Sequence, residues 1–177
     1  MTATKPLRQG GEHAAHKLGV GSSTFGGAGC LLYCIDNARH RLTGHALDPV
    51  GLNDAGIAHD CFIGSGAKVE ALARVAGLSC GPRVELSVDV MSKMIASCLA
   101  GGRLVLLHVD HDSAKPKGDP EADHWVLGHV LAGLTVVYDD PATGEQGGLI
   151  LSTLTAPSAW RDHRPYAVRA FRTLSKL

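Results

Sequence analysis

Between residues 29 and 42 the apolar side chains Leu31, Ile35, Ala38 and Leu42 recur every three to four positions, while Asp36, Arg39 and Arg41 fall outside that stripe. This spacing predicts a helix with one buried face, and Gly44 is a suitable stop. Residues 49–56 predict a short helix with Pro49 in its first turn, where a missing N–H breaks no bond. Residues 67–76 predict a third, with Val69, Leu72, Ala73 and Ala76 inward and Gly77 as its cap. A fourth is predicted over 89–100, N-capped by Ser87 or Asp89 and burying Met91, Met94, Ile95 and Cys98 before Gly101-Gly102 ends it.

The period changes after residue 103. The Leu-Val-Leu-Leu run in 103–109 predicts a buried strand, and a polar stretch over 110–122, rich in Asp, Lys and Pro, leads away from it. Residues 124–131 are again apolar, Ala132-Gly133 interrupts them, and 134–138 resumes with Thr-Val-Val-Tyr, so a β-hairpin is expected. Further strands are predicted over 149–154 and 166–173, the latter alternating Tyr166, Val168 and Ala170 against Ala167, Arg169 and Phe171. Helices come first and strands second. The expected class is therefore α+β, N-terminal helices packed on a mostly antiparallel C-terminal sheet, with residues 1–20 as a flexible arm and 21–177 as one domain.

Charge narrows the function. Lys plus Arg and Asp plus Glu each number 17, and the isoelectric point is near 7.1, so no electrostatic footprint for nucleic acid is present. No run of about 18 apolar residues predicts a membrane span, and residues 1–11 lack the apolar core of a signal peptide, so the default expectation is a cytoplasmic location. The five cysteines, Cys30, Cys34, Cys61, Cys80 and Cys98, are odd in number and show no paired spacing, which in that compartment predicts reduced thiols.

One of those cysteines stands apart. Cys30 follows Gly26-Gly27-Ala28-Gly29 and opens the first predicted helix. A thiol attacks as its thiolate, and the free N–H groups and positive dipole end of a helix N-terminus favour that form. With a three-residue loop at 131–133 the predicted hairpin sets His124 opposite Asp140; a two-residue loop shifts the pairing by one and exchanges the roles of Asp139 and Asp140. A nucleophile, a base and an orienting carboxylate are thus available. Cys34 is a rival nucleophile one turn along, and His129 a rival base on the opposite strand face. A metal site is the competing constellation, with His108, Asp110, His111 and His124 as its ligands, though their spacing matches no zinc signature.

The strings Thr24-Phe25-Gly26-Gly27-Ala28-Gly29-Cys30, His124-Trp125-Val126-Leu127-Gly128 and Tyr138-Asp139-Asp140-Pro141 together resemble the papain-like cysteine peptidases of the bacteriocin-processing, double-glycine type and their free-standing relatives. The resemblance spans roughly residues 22–141. It implies a papain-like fold, Cys30, His124 and Asp140 as the catalytic set, and no cofactor. It places Thr24 where relatives carry a glutamine that helps bind the oxyanion. The implied substrates are short or glycine-containing peptides, including peptidoglycan cross-links reached by a phage particle or a secretion apparatus. A papain-like binding or structural module without activity is the alternative.

Overall fold

The computed structural model describes residues 7–110, 124–157 and 165–177. Among them the helical segments are α1 (Phe25–Ala28), α2 (Cys30–Thr43), α3 (Pro49–Ala58), α4 (Val69–Val75) and α5 (Val88–Ala100). Two of them show clear local caps. Asp48 accepts a hydrogen bond from the Gly51 N–H at 2.8 Å, capping α3 just ahead of Pro49. Gly44 closes α2 at φ 77°, its N–H bonded to the His40 carbonyl. In α5, Met91, Ile95 and Cys98 are buried while Met94, expected inward, is 38 % exposed, because it lies at the margin of their stripe.

The strands are β1 (Phe62–Ile63), β2 (Gly66–Ala67), β3 (Leu78–Cys80), β4 (Leu104–Asp110), β5 (His124–Ala132), β6 (Thr135–Asp140), β7 (Glu145–Ile150), β8 (Thr155–Ala156) and β9 (Tyr166–Lys176). β1 and β2 form a small separate hairpin. The rest run β3-β9-β4-β5-β6-β7-β8, and β9 pairs with β8 as well. That last pairing closes six antiparallel strands into a barrel, with β3 attached outside the ring.

Closure overturns the expected papain-like layout of helices on an open sheet. Its cause lies in two strands. β9 is 11 residues long and pairs with β4 from Leu174 down to Ala167, while its first residues, Tyr166 and Ala167, also face Ala156 and Thr155 of β8. β8 has only two residues, too few for an alternating pattern to reveal. The strand expected at 149–154 instead ends at Ile150, and Leu154 sits in a turn at φ 53°.

Two apolar clusters hold the molecule. One draws on all six barrel strands, with Val105, Leu107, Val126, Val136, Leu149, Ala156, Tyr166 and Phe171 joined by Met91 and Ile95 of α5. The other joins Leu32 and Ile35 of α2 and Leu72 of α4 to Leu104, Leu106, Leu127 and Leu174 on the outer barrel wall. β4 is consequently buried on both faces, which accounts for its unbroken apolar run. Burying a leucine such as Leu106 or Leu127 completely contributes about 1.5–3 kcal/mol, so α2 is firmly seated on the barrel wall at β5 and β9. Among the described residues no helix is long and apolar enough to cross a membrane.

Candidate active site

Cys30 is the first residue of α2, and Gly29 joins that helix to α1 with its N–H on the Phe25 carbonyl at 2.8 Å. The join is tight. A Cβ on Gly29 would fall 2.5 Å from that carbonyl oxygen and 3.0 Å from the Phe25 Cα. Only glycine fits without moving the start of α2, and hence the thiol. Cys30 itself is half-buried, whereas Cys34 one turn along is fully buried and gives its S–H to the Trp125 carbonyl at 3.4 Å.

The β5–β6 hairpin turns more tightly than a three-residue loop. Ala132 pairs with Thr135, leaving a two-residue connection, Gly133-Leu134, with Gly133 at φ 61°. That register alone would turn Asp139, rather than Asp140, toward His124. A β-bulge at His129 adds one residue to β5, so that Gly128 faces Tyr138 and Leu127 faces Asp139. Asp140 then shares a face with His124 as a diagonal neighbour. His124 Nε2 and Asp140 Oδ1 are 2.8 Å apart.

Asp140 is buried and fully engaged. Its Oδ1 also accepts the Ala142 N–H at 2.9 Å, and its Oδ2 accepts the Tyr166 hydroxyl at 2.7 Å. Burial pushes this carboxyl up, but the bonds from His124, Tyr166 and Ala142 outweigh it and hold Asp140 below the usual carboxylate range. For His124, burial opposes the charge, yet the hydrogen bond to Asp140 and the nearby Cys30 sulfur prevail and raise the imidazole from 6.5 to about 9. Imidazole and carboxylate form a buried pair, and the Cys30 sulfur lies close enough to favour the charge on that imidazole.

A cleft of about 340 Å³ opens over Cys30 and His124. Leu18, Leu31, Phe62 and Val69 make its apolar wall, and His108 stacks flat on Trp125 at 4.1 Å along its rim. Gln9 also lines it, although sequence patterning singled out nothing there. Its backbone N–H bonds the Pro141 carbonyl at 2.8 Å, its Nε2 donates to the Gly26 carbonyl at 3.2 Å, and its Oε1 is buried without a partner. Residues 7–20, within the arm expected over 1–20, thus bring Gln9 onto Pro141 and Leu18 into the core. The only available signal was a polar residue followed at a distance by Leu18, which has no periodicity.

Thr24 is the N-cap of α1, where its carbonyl accepts the Gly27 and Ala28 N–H groups. The described lining of the cleft does not include it. His129 pairs instead with Asp139, beside Arg41 and Gln146. Of the rival metal ligands, His108 meets Arg83 as well as Trp125, Asp110 pairs with Arg169, and His124 is bonded to Asp140. His111 and most of the 110–122 loop lie outside the described residues. Among the described residues no three His, Cys, Asp or Glu side chains gather to hold a metal ion. No protein-family model matches the chain, and no curated protein matches it as a relative.

Proposed function

We propose that the protein hydrolyses a peptide or amide bond through an acyl-enzyme on Cys30. The observation that carries this reading is the buried Asp140–His124 pair sharing one cleft with the half-buried Cys30 at the start of α2. An imidazole that holds its proton to about pH 9 suits a thiolate–imidazolium pair, in which the base has taken the thiol proton before substrate binds.

The sulfur attacks the scissile carbonyl carbon, and the electron pair of the C=O moves onto oxygen. Collapse breaks the C–N bond, and His124 delivers its proton to the departing amine. Water then attacks the thioester while His124 takes its proton; the carboxylic product leaves and the thiolate–imidazolium pair returns. Asp140 keeps the ring in one orientation and stabilises its charge throughout. The developing oxyanion is served by the Cys30 N–H at the helix start, with the Gln9 carboxamide at the cleft wall as second donor in place of Thr24.

The motif resemblance points to short or glycine-containing peptides, with peptidoglycan cross-links among them. The test is hydrolysis of a peptide library and of purified peptidoglycan by the wild type beside Cys30→Ala and Gln9→Ala. Cleavage abolished in the first variant and lowered on the order of 10²-fold in kcat in the second supports the reading. Equal digestion by wild type and Cys30→Ala overturns it.

A further inference from the structure

The sequence singles out Asp139 only as the residue that exchanges roles with Asp140 when the hairpin loop shortens, yet it is wholly buried and carries a charge. Its Oδ2 accepts Arg41 Nε at 2.8 Å, and its Oδ1 accepts Arg41 Nη2 at 2.9 Å and Gln146 Nε2 at 3.0 Å, with His129 Nε2 at 3.2 Å. Burial pushes Asp139 up, but His129 and Arg41 together hold it below the usual carboxylate range. None of these groups lines the cleft. What they join is informative: Arg41 stands in the last turn of α2, whose first residue is Cys30, and Asp139 immediately precedes the residue that orients His124.

We infer that Arg41 is a positioning residue, clamping the far end of the nucleophile helix to the strand that carries Asp140 and so setting where the Cys30 sulfur meets His124. The inference rests on the reading of Cys30 and His124 as the reacting pair. Elsewhere along its length, α2 is fixed to this hairpin by apolar packing and by the Cys34 S–H bond to Trp125. Neither is directional in the way a planar guanidinium fork on a carboxylate is. From Arg41 to Cys30 the helix spans about 16 Å, so a tilt of about 4° at the clamped end displaces the sulfur by about 1 Å. A displacement of that size can cost about 10²-fold in rate. The bulge at His129 serves the same junction, because it turns Asp140 toward His124 and leaves Asp139 facing Arg41.

The experiment measures iodoacetamide alkylation of Cys30 at pH 6, and the titration of the His124 ring by NMR, in the full chain. Arg41→Met and Asp139→Asn are compared with Arg172→Met, which removes a more exposed ion pair to Glu70 between α4 and β9, away from the reacting pair. All three variants should melt earlier than the wild type. Only the first two should slow Cys30 alkylation, by roughly ten- to a hundredfold, and move His124 away from its value of about 9. Arg41→Lys keeps the charge but loses the fork, and should fall between wild type and Arg41→Met; it also serves if the methionine variant does not fold. Alkylation and ring titration in the Arg41 and Asp139 variants no different from those in Arg172→Met would overturn the clamp while leaving the catalytic reading intact. Absence of selective Cys30 labelling in the wild type would overturn both.

Discussion

Asp140→Asn isolates the charge that sustains the reacting pair. The carboxamide is close to isosteric: its oxygen can still accept from His124 Nε2 and the Ala142 N–H, and its nitrogen can donate to the Tyr166 oxygen in place of the bond that Oδ2 accepts. Geometry is kept and the negative charge is lost. In the wild type the imidazole is raised from 6.5 to about 9, a difference on the order of 3 kcal/mol between its two protonation states. Burial opposes the imidazolium, so with one of its two supports neutralised its pKa should fall by about 2, a typical effect of a carboxylate at contact distance. At pH 8 the protonated fraction then drops from about 90 % to about 10 %. The assay is an NMR titration of the His124 ring from pH 5 to 10, beside Cys30 alkylation at pH 6. The wild-type ring should titrate near 9 and that of the variant near neutrality, with slower alkylation at pH 6 because less of the thiol is held as thiolate. A variant whose ring titrates at the wild-type position would refute the reasoning that the carboxylate acts through the charge on His124.

Tyr166→Phe removes one of the three hydrogen bonds to the Asp140 carboxylate and leaves the His124 bond in place; urea unfolding should show a loss of about 1.5–3 kcal/mol, with a smaller change in alkylation rate than Asp140→Asn produces. Gly29→Ala forces the Phe25 carbonyl and the start of α2 apart, so alkylation of Cys30 should slow by about tenfold or more with little change in helix content by circular dichroism. Stability should also depend on pH on both sides. His124 is raised in the folded state, so its contribution is complete below pH 6.5 and is lost as pH rises through about 9. Asp140 and Asp139 are lowered, so theirs is complete above pH 3.8 and is lost as pH falls through their folded values. Urea midpoints measured from pH 3 to 10 should form a plateau between those limits, and His124→Gln should remove the alkaline decline.

The long helices were legible because their burial is one-sided. Leu31, Ile35 and Ala38 are apolar at the spacing that packing on the barrel wall requires, and all three are buried. Barrel closure was not legible, since it depends on the two-residue β8 and on Tyr166 and Ala167 pairing on a second edge. Cys30, His124 and Asp140 could be named from local context and strand parity. The correct partner for His124 nevertheless arises from two deviations from the simple hairpin, a shorter loop and a bulge, whose shifts in parity cancel. Gln9 was invisible because its role comes from a contact with Pro141 across 132 positions of chain, which no local pattern encodes. Tyr166 was read only as a strand residue. A fully buried tyrosine hydroxyl must find a partner, and here that requirement is met by Asp140.

The central claim is that the Cys30 sulfur and the His124 imidazole work as a pair. Iodoacetamide added at pH 6, with the adducts mapped by mass spectrometry over time, tests this most directly, and half-buried Cys80 is the fair comparison because Cys34, Cys61 and Cys98 are buried. The account predicts that Cys30 is modified at least about tenfold faster than Cys80 and that this preference disappears in His124→Ala. Equal rates at the two thiols, or a preference for Cys30 that survives the loss of His124, would contradict it.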